Sequence, residues 1–113
     1  MNDIAAYSQR LREFAQARDW EQFHSPKNLA MALIVEAAEL VEHFQWMKED
    51  QSYELSDAQR EEVALEMADI FIYLVRIAER LDIDLAEATD RKIAINEQRY
   101  PVEKSKGRAG RPE

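Results

Sequence analysis

A chain of 113 residues, 46% apolar and 34% charged, has material for one hydrophobic core and not for two. Two glycines and three prolines are too few for the turns of an all-β fold, and the absence of cysteine excludes a disulfide framework, a thiolate metal site and a cysteine nucleophile. The formal charge of −8 is uneven: residues 101–113 carry four Lys/Arg and two Glu, a net of +2, which leaves −10 on residues 1–100 and argues against a nucleic-acid duplex as partner.

The N-terminus has no basic segment followed by an apolar stretch, and the longest apolar run, residues 29–35, is far short of the roughly 20 residues that span a bilayer. The expectation is a soluble, cytoplasmic protein with no membrane partner. Ile4, Tyr7, Leu11 and Phe14 recur at helical spacing and predict a first amphipathic helix over about residues 3–18. Asp19-Trp20-Glu21-Gln22-Phe23-His24 loses that period and reads as a connection. Ser25-Pro26 is a start signal, with Ser as N-cap and Pro at the first helical position. A second helix then runs to about Lys48, with Leu29, Leu33, Ala37, Leu40 and Phe44 on one face. Residues 49–56 form a polar loop. Ser56 with Gln59 makes a capping box, and the third helix runs from there to about Leu81. Asp84 with Glu87 is a second box, opening a fourth helix that Pro101 stops near Arg99. The fold class is all-α: a four-helix, bundle-like protomer over residues 1–101, followed by a basic, disordered tail over residues 102–113.

The third helix bears on assembly. Val63, Met67, Ile70, Phe71, Leu74, Ile77, Ala78 and Leu81 form one broad apolar arc, and Leu65, Ala68, Ile72 and Val75 form another on the far side. A helix apolar nearly all round is buried all round. In a chain this short the second face is expected to meet another subunit, so a homo-oligomer is predicted.

Glu36 and Glu39 on the second helix, and Glu66 and Asp69 on the third, are each spaced i, i+3, within one turn on one side of the helix. In both helices the second acid falls about 60° from the first, and the apolar arc centres about 80° away on the other side. Antiparallel packing of the two helices would bring the pairs together at the edge of the core. None of the four acids has Lys or Arg three or four residues away, where an ordinary solvated helical acid often has one. Converging acids without counter-charge repel, and a hard divalent cation such as Mg²⁺ relieves that repulsion through oxygen ligands. The other reading of the same residues is four acids at the edge of the core facing water. A di-iron bundle is disfavoured: it needs Glu-x-x-His pairs on two helices, and the third helix has no His.

Glu36-x-x-Glu39 followed after 26 residues by Glu66-x-x-Asp69 resembles the signature of the all-α nucleoside triphosphate pyrophosphohydrolases, the MazG-like group. The flanking words Asp19-Trp20-Glu21-Gln22-Phe23-His24, Pro26-Lys27-Asn28-Leu29, Phe44-Gln45-Trp46 and Ile72-Tyr73-Leu74-Val75 resemble its dCTP pyrophosphatase branch. So does Lys92-Ile93-Ala94-Ile95-Asn96-Glu97-Gln98-Arg99-Tyr100-Pro101. The resemblance covers about residues 5–101. It implies hydrolysis of a deoxynucleoside triphosphate, dCTP or a modified dCTP, to the monophosphate and pyrophosphate, in nucleotide-pool sanitation. The implied cofactor is Mg²⁺, with Mn²⁺ as a substitute, and the implied assembly is a homotetramer, a dimer of dimers. Carried over residue by residue, Glu36, Glu39, Glu66 and Asp69 hold the metal, and Glu39 orients or deprotonates water. Trp20 and Trp46 enclose the base, and His24, Tyr73, Lys92, Asn96 and Tyr100 are substrate contacts. The animal dCTP pyrophosphatases carry a histidine in the first helix where this chain reads Arg10-Leu11-Arg12, which leaves base preference open. The alternative from another class is a non-catalytic helical oligomer that binds nucleotide or a protein partner.

Overall fold

The computed structural model describes residues 3–110, and all regular structure among them is helical. α1 spans Asp3–Ala17, α2 Pro26–Glu42, α3 Asp57–Arg80, α4 Leu85–Arg99 and α5 Val102–Ser105, with a 3₁₀ turn at Asp50–Tyr53. Two compact units divide at Asp82/Ile83: the first holds α1, α2 and α3, the second α4 and α5. No helix among the described residues is long and apolar enough to cross a membrane.

α1 ends in a Schellman turn. The Trp20 N–H bonds to the Ala15 carbonyl at 2.9 Å and the Asp19 N–H to the Gln16 carbonyl at 3.1 Å, with Asp19 left-handed at φ 56°. Asp takes the position that Gly usually fills, and its side chain and carbonyl both accept from Gln22. The apolar contact that accompanies this turn is Phe14 against Trp20, edge-on with centroids 5.7 Å apart. Trp20 is thereby positioned by the helix end itself.

Ser25 caps α2, its hydroxyl accepting from the Asn28 N–H at 3.1 Å with Pro26 following. α2 ends at Glu42, short of the expected Lys48. Beyond it the N–H groups of His43, Phe44 and Met47 bond three residues back, to Leu40, Val41 and Phe44. These tighter turns satisfy the last carbonyls. The Lys48 N–H is taken by the Gln51 side chain at 2.9 Å, so the backbone does not return to the helical ladder. The Ser56–Gln59 capping box forms in both directions and starts α3. At α4, Asp84 accepts from the Glu87 N–H at 3.0 Å, while the Glu87 side chain turns to Arg91, 3.6 Å away, instead of closing a box. Val102–Ser105 is a helical turn at the start of the basic segment.

α3 is the spine of the first unit and packs on both α2 and α1. Its buried side chains are Val63, Val75, Arg76 and Ala78, joined in the core by Ala15 and Leu29. Tyr7 meets Phe71 edge-on at 5.7 Å, fixing α1 against α3. α2 and α3 run antiparallel, with His43 opposite Glu62 near one end and His24, just ahead of α2, opposite Arg76 near the other. The two arcs of α3 do not divide into an inner and an outer face. The first contains buried Val63 and Ala78 but exposed Met67 and Leu74, and the second contains buried Val75 but exposed Leu65.

Candidate metal-binding carboxylate site

Antiparallel packing of α2 and α3 places Glu36 and Glu39 against Glu66, with one carboxylate oxygen from each within 4.8 Å of the others. All three are half-buried. Glu36 Oε2 and Glu66 Oε2 are buried without a hydrogen-bond partner. Two ionised carboxylates offer only acceptors to each other, so the pair calls for a shared proton, a cation or a donor from outside it. The electrostatics record that conflict. The facing Glu36 carboxyl, partial burial and the adjoining Glu39 carboxylate together push the Glu66 carboxyl up to about 7. For Glu36 the Glu66 carboxyl acts downward, but burial, Glu39 and the charge of Asp69 outweigh it and leave the carboxyl raised. Asp69, one turn beyond Glu66, stands outside the tightest set, yet its charge reaches both Glu36 and Tyr73. The Tyr73 hydroxyl is raised by burial and by the charges of Glu36 and Asp69, which places it beside the cluster. Oxygen donors, convergence and orphaned buried atoms fit a hard divalent cation.

The remaining expected contacts fall in three places. Trp20 is partly exposed on the α1–α2 connection, and its partner Phe14 lines an apolar groove of about 410 Å³ between α1 and α3, bounded also by Leu11, Ala68 and Ile72. Trp46 is 90% exposed in the turns after α2. His24 lies half-buried near Trp20, ring centroids 6.0 Å apart. Lys92, Asn96 and Tyr100 belong to the second unit, where Lys92 is exposed, Asn96 and Tyr100 are half-buried, and the Tyr100 N–H bonds to the Asn96 carbonyl at 2.8 Å.

An ionic network around one buried arginine was not foreseen. Arg76, only 2% exposed, pairs with Glu21 and with Glu79; Glu21 also holds Arg80, and Glu79 holds Arg12 at 3.2 Å. Its signal in sequence is a polar strip along α3: Glu66, Asp69, Tyr73, Arg76 and Arg80 lie within an arc of about 80° at 100° per residue. That strip is acidic toward the N-terminal side and basic toward the C-terminal side.

Together these features define, among the described residues, an all-helical protein whose two facing helices carry a carboxylate cluster with two orphaned oxygens, suited to a cation. The chain belongs to the MazG-like family, whose family model matches residues 31–111. It is 48% identical over 99 residues to dCTP pyrophosphatase 1 of Bos taurus, covering 86% of this chain and 59% of that protein. To dCTP pyrophosphatase 1 of Homo sapiens it is 47% identical over 92 residues, 80% of this chain and 54% of that protein. The chain therefore matches somewhat more than half the length of these curated relatives. The crystal structure of a pyrophosphatase from Archaeoglobus fulgidus superposes with a TM-score of 0.83 at 38% identity, covering 89% of this chain and 94% of that one.

Proposed function

We propose that this protein is a Mg²⁺-dependent nucleotide pyrophosphohydrolase. It converts a deoxynucleoside triphosphate, dCTP or a modified dCTP, to the monophosphate and pyrophosphate, in nucleotide-pool sanitation, and works as a homo-oligomer. The observation that carries this reading is the convergence of Glu36, Glu39 and Glu66 with two orphaned buried oxygens and, among the described residues, no Lys or Arg paired with them. Family membership and the dCTP pyrophosphatase relatives support the substrate class.

In this reading Glu36, Glu39, Glu66 and Asp69 hold the cation. When bound, Mg²⁺ supplies charge neutralisation at the phosphate oxygens and a more acidic water. Glu39 would orient an attacking water and take its proton as the oxygen adds to one phosphorus of the anhydride; the bridging P–O bond breaks and the phosphate group on its far side leaves with the electron pair. Tyr73 donates its hydroxyl beside the carboxylates. Trp20, backed by Phe14 at the edge of the apolar groove, offers an indole face to the base, and Trp46 offers a second. His24, Lys92, Asn96 and Tyr100 supply polar contacts to base or phosphates.

The test is pyrophosphate release from a panel of deoxynucleoside triphosphates with Mg²⁺, including 5-substituted dCTP. Turnover with dCTP or a modified dCTP foremost is expected. If no triphosphate is hydrolysed, or if Glu36→Gln and Glu66→Gln leave the rate unchanged, the reading fails.

A further inference from the structure

The α1–α2 connection carries Trp20 and His24, and the Glu21 carboxylate anchors it to α3. Glu21 spans two arginines one turn apart, one oxygen on Arg76 Nη2 and the other on Arg80 Nη1. Arg76 is the buried member of that pair. Its Nη1 donates to Glu79 at 2.9 Å, and its Nη2, already on Glu21, stands 3.4 Å from His24 Nδ1. A guanidinium offers donors only and keeps its charge throughout the working pH range. A proton on His24 Nδ1 would point N–H at N–H, so the nitrogen facing Arg76 is the acceptor and the proton sits on Nε2.

We infer that Arg76 is a positioning residue: it fastens the Trp20–His24 connection to the helix that carries Glu66, Asp69 and Tyr73, and it fixes His24 in the Nε2–H form, a hydrogen-bond donor directed away from the guanidinium. The groups facing His24 are Arg76, Arg80 and Glu21, with Trp20 beside it. Burial and the charges of Arg76 and Arg80 hold the imidazole below its usual range, against the opposing pull of Glu21. His24 therefore presents the same N–H to an acceptor oxygen of base or phosphate across neutral pH, with no added positive charge. Arg76 lies about 10 Å along the α3 axis from Asp69. The consequence for turnover rests on the proposed function; the state of His24 does not.

The experiment uses ¹⁵N-labelled full-length protein near neutral pH, with His24 assigned by the signal that disappears in His24→Asn. A pyridine-like Nδ1 and a pyrrole-like, protonated Nε2 are expected. In Arg76→Met the two tautomers interchange and the imidazole titrates at higher pH. KM for dCTP with Mg²⁺ then rises roughly tenfold while kcat stays within about threefold, the pattern of lost ground-state binding. Arg76→Lys restores most of the KM. Should Arg76→Met not fold, Glu21→Gln replaces it: the connection loosens and KM rises, while the tautomer holds because Arg76 remains. A wild-type His24 protonated on Nδ1 or cationic near neutral pH overturns the proposal, as does an Arg76→Met protein with unchanged spectrum and KM. If the wild-type protein hydrolyses no nucleotide, the proposed function falls, and the spectrum alone decides the tautomer.

Discussion

At Glu66 the facing Glu36 carboxyl, partial burial and the nearness of Glu39 all act in one direction and push the carboxyl up to about 7. The sign of the linkage follows. A carboxyl whose folded pKa exceeds its unfolded value of 4.5 contributes stability that is fully present below 4.5 and is lost as pH rises through about 7. Metal-free protein in chelator is therefore expected to melt progressively lower between about pH 5 and about pH 8, with Glu66 supplying part of the slope. Glu66→Gln should flatten that slope, because a neutral amide cannot repel Glu36, and Mg²⁺ should flatten it in the wild type by neutralising the cluster. Parallel wild-type and Glu66→Gln melting curves across this range would contradict the assignment. The same substitution, and Glu36→Gln, is expected to lower kcat/KM at least about 100-fold, since each removes a proposed ligand. A gain in metal-free stability with a loss of turnover would mark these acids as retained for chemistry rather than for the fold.

The helix starts illustrate what could be read from neighbouring residues. Ser25-Pro26, Ser56 with Gln59, and Asp84 all cap helices at the expected positions, because a cap is a contact within four residues. The Ser56 box satisfies two otherwise orphaned N–H groups, so Ser56→Ala is expected to cost about 1 kcal/mol in urea unfolding with an unchanged m value. A midpoint unmoved by this change would mean that packing alone sets the start of α3. The i, i+3 acid pairs were legible for the same local reason, and antiparallel packing of α2 on α3 brings Glu36, Glu39 and Glu66 together. What escaped was long-range or disguised. Arg76 finds Glu21 across 55 positions, a pairing that no helical spacing encodes. The turn after α1 was hidden because Asp19, not Gly, takes the left-handed position. The early end of α2 lies in the tighter bonds of His43 and Phe44, with Gln51 capturing the Lys48 N–H further along.

The surface of the whole chain holds more apolar side chain than its core. Ala15, Leu29, Val63, Val75 and Ala78 are the buried apolar residues among those described, whereas Met31, Ile34, Val35 and Val41 on α2 alone are each 55–64% exposed. Met31, Ile34 and Val41 fall on one stripe of that helix, with Ala38 between them, and each side chain left in water forgoes about 25 cal/mol per Å² of apolar area. A second subunit packed on this stripe recovers that energy, and the stripe, rather than the far arc of α3 where Val75 is already buried, is where association is expected. The opposing term is charge: subunits of net −8 repel, so association should strengthen as salt screens them. Light scattering on the eluting protein is expected to give a multiple of the chain mass, increasingly so from low to moderate ionic strength. Ile34→Glu places a carboxylate in the centre of the stripe and should shift the population to monomer with its helical circular dichroism intact. A wild-type monomer at all salt concentrations, or an Ile34→Glu protein that associates as the wild type does, would remove this face from the assembly.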